Sequence, residues 1–174
     1  MYLISAYFDV KSEKILKKYI DRISAASGNT FMTDNNVPPH ITISAVDARS
    51  AEVLFDSFIR IQESFIPGKI TVPAIGQLLP YVLYAAPVMN RYISSLSSLV
   101  YEAIKDIPET SVSRLYIPGN WMPHITLAKK LTHDQHKAAL SVMLEHFMPM
   151  EAEICRLGLA KVNPHEDVMI IERR

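Results

Sequence analysis

The sequence is short of several things, and each shortage removes a class of protein. It has one cysteine, Cys155, so no disulfide can form within the chain, and nothing calls for an oxidising compartment. It has no charge excess: 18 basic residues face 18 acidic ones. A protein that grips long nucleic acid through its phosphates carries a basic surplus or stripe. A nucleic-acid ligand here is therefore expected to be a nucleotide or a strand end, and no long duplex. No apolar run approaches membrane-spanning length. The N-terminus MYLISAYFDVKSEK has no basic residues ahead of its apolar stretch. A cytoplasmic monomer with no membrane partner is expected. Charged residues make up 21% of a chain that is 49% hydrophobic, which excludes disorder and suits an ordinary globular fold.

What is present is a repeated order of elements. Residues 2–9 (YLISAYFD) are rich in strand formers. Ser12 is placed to cap a helix with Ile15, Leu16, Tyr19, Ile20 and Ile23 on one face, and Gly28 is placed to end it. A loop, NTFMTDNNVPP, leads into the short strand HITISA. A helix follows from about Ser50 to Phe65, then the strand KITVPAI after the Pro67-Gly68 break. The second half restarts with the strand YVLYAAPV, a helix capped by Asn90, and a loop containing RLYIPGNWMP. It continues with the strand HITLA and a helix opened by the capping-box pair Thr132 and Gln135. MEAEICRLGLAKV and DVMIIER close the chain as strands. The halves, about 1–78 and 79–174, thus form an internal repeat. They predict a single α+β domain of two pseudo-twofold lobes.

Pro-His-Ile-Thr occurs in both halves, as Pro39 to Thr42 and as Pro123 to Thr126. Four letters carry little weight alone; the matched position in the element order carries more. Residues two apart on a strand share a face. His40 and Thr42 therefore face one way and Ile41 and Ile43 the other. His124 and Thr126 oppose Ile125 and Leu127 in the same manner. The aliphatic side predicts a core and the polar side a cleft between lobes.

Two histidines and two threonines suit phosphoryl chemistry. One imidazole accepts a proton from the nucleophile while the other protonates the leaving oxygen. The hydroxyls donate to non-bridging phosphate oxygens. The pair predicts a bell-shaped pH dependence with both limbs near neutrality. No metal or other cofactor is expected, since His-x-Thr brings no further ligand and no carboxylate lies beside either copy.

PPHITIS and MPHITLAK resemble the two signature motifs of the two-histidine phosphoesterase superfamily, which includes LigT-like RNA ligases and cyclic phosphodiesterases. The resemblance covers nearly the whole chain. It implies a bilobal fold with an antiparallel sheet in each lobe, flanked by helices, and an active-site cleft between them. It also implies metal-independent hydrolysis of 2′,3′-cyclic phosphates or 2′-5′ linked RNA ends and small nucleotides. Under it His40 and His124 are the catalytic residues, and Thr42 and Thr126 bind the phosphate. Some members carry Arg or Lys shortly after the second motif. Lys129 stands there, whereas strand parity aims Lys130 into the cleft. A nucleotide-binding module without catalysis and an RNA-end ligase running the reverse reaction are the alternative functions.

Other residues are read with the cleft and metals in view. Trp121, the only tryptophan, is placed either to stack on a base or to anchor its loop. Tyr7 and Tyr84 suit either the cleft wall or the core. His133 and His136 are expected as a solvated surface pair, and His146 and His165 as surface residues. Cys155 is expected in the core.

Overall fold

Segments with alternating or aliphatic-rich patterns become strands, and segments with helical spacing become helices. The order is β1 (Tyr2–Phe8), α1 (Val10–Ser27), α2 (Phe31–Asp34), β2 (His40–Asp47), α3 (Phe55–Ser64), β3 (Gly68–Val72) and β4 (Ala74–Leu78). It continues with β5 (Val82–Ala86), α4 (Arg91–Ile104), β6 (Ser111–Val112), β7 (Ile125–Ala128), α5 (His133–His146), β8 (Met150–Lys161) and β9 (Glu166–Glu172). This computed structural model describes residues 1–162 and 165–172. Arg173, the last residue of the expected final strand, lies outside them.

Local chemistry sets the element ends. Asp9, and not Ser12, caps α1: its carboxylate accepts from the Lys11 N–H at 3.1 Å, and Ser12 is buried in the first turn. Gly28 ends that helix at φ +69°, a left-handed conformation that glycine adopts without strain. Asn90 caps α4 through the Ile93 N–H at 2.8 Å, and Thr132 and Gln135 form the capping box of α5. The helix expected from Ser50 begins as a 3-10 turn at Glu52–Leu54 before α3. A short helix, α2, interrupts the expected loop at 29–38. KITVPAI is two strands, because Pro73 has no N–H to offer a ladder. The piece before it pairs with β8 and the piece after it with β5.

All registered strand pairs are antiparallel. They run β3-β8-β1-β2-β7-β5-β4, with β6 beside β2 and β9 beside β8. The fold is thus a bilobal antiparallel α+β fold. The strands of its two lobes meet at a seam between β2 and β7, registered through one pair, Ile41 and Ile125. The lobes exchange strands across the sequence midpoint: β4 belongs with β5, while β8 and β9 return to β1 and β3. Strands from before and after residue 78 are therefore interleaved in one sheet. Helices are interleaved too. α1 packs on β7 and α5, and α4 packs on β2 and α3.

Two matched irregularities frame the seam. Ile4 pairs with Ser44 and Ser5 with Thr42, leaving Ile43 as an extra residue on β2. Leu83 pairs with Ala128 and Tyr84 with Thr126, leaving Leu127 extra on β7. Each bulge falls one residue after a motif threonine. A bulge re-aims the residues beyond it, which is why Ala45, and not Ser44, continues the face of His40 and Thr42. Ile41, Ile43, Ile125 and Leu127 are fully buried in one core with Ile4, Phe8, Leu16 and Val100.

Candidate active site

His40 opens β2 and His124 immediately precedes β7, each after a proline. Both imidazoles turn back on their own chain. His40 Nδ1 lies 2.7 Å from the Pro38 carbonyl oxygen, and His124 Nδ1 lies 3.0 Å from that of Met122. A carbonyl only accepts, so Nδ1 carries the proton in each ring and Nε2 is left for a ligand. The two copies of the motif thus hold their histidines in the same tautomer by the same contact.

His40, Thr42, His124 and Thr126 line a single cavity of about 300 Å³, with Lys129 on its wall. Thr42 is buried and Thr126 half-buried. β7 ends at Ala128, so strand parity does not reach the lysines. Lys130 adopts φ +57° and places its ammonium 4.7 Å from the centre of the Phe31 ring, leaving Lys129 as the one at the cavity.

Each motif histidine has a tyrosine edge against it. The Tyr7 ring lies 6.1 Å from His40 at 65°, and the Tyr84 ring 5.6 Å from His124 at 66°. Both tyrosines are buried and rest over a glycine of the adjacent strand. A Cβ at Gly158 would lie 2.4 Å from the Tyr7 ring, and one at Gly76 would lie 2.4 Å from the Tyr84 ring. The register differs between the copies, with Tyr7 opposite His40 and Tyr84 opposite Thr126. The two halves of the site are similar, not identical.

Electrostatics separates them further. Burial is the main cause that pushes the His40 pKa down from its ordinary 6.5 to about 4. The nearby His165 and His124 act in the same direction, against the Pro38 hydrogen bond and Asp167. His40 is therefore neutral at neutral pH. Burial and the Asp167 carboxylate push the Tyr7 phenol far above the usual tyrosine range, so it remains a proton donor. Burial also raises Tyr116, which borders the cavity, while the Thr42 side chain acts the other way.

Other sequence expectations meet different outcomes. Trp121 is buried, and its indole N–H donates to the Thr42 carbonyl at 3.0 Å. It is the anchor of its loop, pinning the second motif's approach to the first motif's strand. His136 is buried rather than solvated, with Nδ1 3.3 Å from the Pro80 carbonyl, while His133 and His146 are exposed. Cys155 is half-buried. His165 is not a surface residue. β9 returns alongside β8, and the His165 ring, one residue before it, lies 5.7 Å from that of His40, at the same cavity. Asp167 and Tyr116 also went unnoticed in the sequence. The only local signal for His165 and Asp167 is their own i, i+2 spacing. Among the described residues, no group of three or more His, Cys, Asp or Glu side chains is arranged to hold a metal ion. No helix among them is long and apolar enough to cross a membrane.

The fold is shared with solved structures. E. coli LigT complexed with 3′-AMP matches at TM-score 0.61 and 14% identity, over 91% of this chain and 86% of that one. TT0787 of Thermus thermophilus matches at 0.63 and 14%, over 98% and 96%. A crystal structure described as a phosphoesterase matches at 0.63 and 14%, over 97% and 95%. No curated protein matches the chain. The family model of the 2′-5′ RNA ligase superfamily matches residues 12–166. The paired His-x-Thr strands and a family match over most of the sequence make this chain a member of that two-histidine phosphoesterase superfamily.

Proposed function

We propose that the protein is a metal-independent phosphodiesterase. Its substrate is a 2′,3′-cyclic phosphate, or a 2′-5′ linkage, on a small nucleotide or RNA end. The observation that carries this reading is the pair of matched imidazoles, both with Nδ1 held by a backbone carbonyl, opening onto one cavity beside two threonines. His40, neutral through burial, takes the proton of the attacking water at Nε2. Water oxygen bonds to phosphorus, and the bond to one ribose oxygen breaks. His124 delivers a proton to that leaving oxygen. Thr42 and Thr126 donate to the non-bridging oxygens as charge gathers there. A neutral chain and a cavity of this size suit a nucleotide better than a long strand. The complexes of LigT with 3′-AMP, NADP+ and ATP support a nucleotide as ligand.

The name of the superfamily supports a second reading, ligation of RNA ends by the reverse reaction. One assay separates these. The protein is incubated with 2′,3′-cyclic nucleotides, 2′-5′ dinucleotides and RNA ends, with EDTA in excess. Hydrolysis that persists with chelator is the expected result. Joined RNA without hydrolysis supports the ligase. Activity abolished by EDTA and restored by zinc or manganese overturns the mechanism.

A further inference from the structure

The motif strands are matched, but their neighbours are not. Beside Tyr84 lies a separate cavity of about 490 Å³. Beside Tyr7 stand His165 and Asp167 from the β8–β9 hairpin. Tyr7 donates its one proton to Asp167 Oδ1 at 2.6 Å, so its oxygen is left to accept from His165 Nε2–H at 3.2 Å. Asp167 Oδ1 also lies 3.8 Å from that nitrogen. The His165 ring stacks on His40 with planes 28° apart, and its side chain is only 10% exposed. A Cβ at Gly158 would lie 2.8 Å from Asp167 Oδ1 as well as against Tyr7, so the Tyr7–Asp167 pair fills room that glycine leaves. The imidazole is held at Nε2 by the Tyr7 phenol, with the Asp167 carboxylate nearby, at the wall of the cavity, and among the described residues Nδ1 has no hydrogen-bond partner.

We propose that His165 is a third histidine of the site, hydrogen-bonding a non-bridging oxygen of the bound phosphate through Nδ1, with Tyr7 and Asp167 as its positioning residues. The proposal rests on the phosphate reading of the cavity given above. An imidazolium donates at both nitrogens. Nε2–H faces Tyr7 and Asp167, whose carboxylate balances the charge, and Nδ1–H faces the anion. This is a charge-assisted donor that neither threonine supplies. His165 binds, while His40 and His124 move protons.

The test is a titration of the full chain with inorganic phosphate, followed by side-chain ¹H–¹⁵N spectra of the imidazoles. The nitrogens of His40, His124 and His165 are expected to shift together along one binding curve. His165→Gln, which keeps a donor near Tyr7 but lacks Nδ1, should weaken phosphate binding roughly ten- to a hundredfold, the worth of a hydrogen bond to a charged group. His165→Asn, with a donor near the Nδ1 position, should recover part of that loss. With 2′,3′-cyclic AMP as substrate, His165→Gln should raise KM more than it lowers kcat. If His40 and His124 respond to phosphate while His165 does not, the proposal is overturned and the phosphate cavity stands. If His165→Gln binds phosphate as the wild type does, it is overturned likewise. If none of the three responds, the phosphate reading fails and the third histidine with it. Should the glutamine variant fail to fold, the wild-type titration decides alone.

Discussion

A histidine acts as base or acid according to what its second nitrogen holds and what surrounds its ring. Here the second nitrogens are held alike, by Pro38 and Met122, so the surroundings break the tie. Burial depresses His40 to about 4, which favours it as the base in the free enzyme. A base works only when unprotonated. The acid limb of kcat/KM should therefore fall near pH 4, and not near neutrality as two ordinary histidines would give. A pH–rate profile on 2′,3′-cyclic AMP checks this, and an acid limb near 6.5 would return the base role to an unburied ring. Replacing His40 or His124 by Ala should each cut turnover by about two to four orders of magnitude. The double variant should be little worse than either, since the two act as one unit. Single-turnover rates with the folds checked by circular dichroism measure both claims. Either variant at full activity would leave the motif without a catalytic role.

Element by element, the parts of the site that were legible in the sequence are those whose signal is local. The i, i+2 spacing placed His40 with Thr42 and His124 with Thr126, and put Ile41, Ile43, Ile125 and Leu127 in the core behind them. The caps at Asn90 and Thr132 were legible for the same reason. His165 and Asp167 were not, because only the pairing of β8 with β1, across most of the chain, brings them to His40. Strand parity also failed where a strand ended, at Lys130 past the end of β7. The seam itself makes an element-scale prediction. Ile125 is fully buried and carries the one registered contact between β2 and β7. Ile125→Ala should cost about 2–5 kcal/mol in urea denaturation, the range for buried Ile truncations. It should also reduce turnover, though Ile125 lies on the core face, because both motif strands are positioned there. Unchanged kinetics alongside the lost stability would show that the seam does not set the histidine geometry.

For the molecule as a whole, the exchange of strands across the sequence midpoint matters most. β1 lies between β2 and β8, and β4 lies beside β5, so each half of the sequence supplies strands to the other's lobe. The turn joining β4 to β5 is well exposed, with Leu79 at 75% and Tyr81 at 60%. Cutting the chain there leaves one fragment with β1 open along the edge that β8 covers, and another with β5 open along the edge that β4 covers. Open edges of this kind are templates for pairing. Neither fragment should hold a cavity with both histidines, and neither should turn over a cyclic nucleotide alone. Mixed, they should reconstitute, with activity rising as the product of the two fragment concentrations until the pairing saturates. Turnover by one fragment on its own would contradict this. The interleaving that brings His165 to His40 would thus make the protein a natural two-piece reporter, silent until its halves meet.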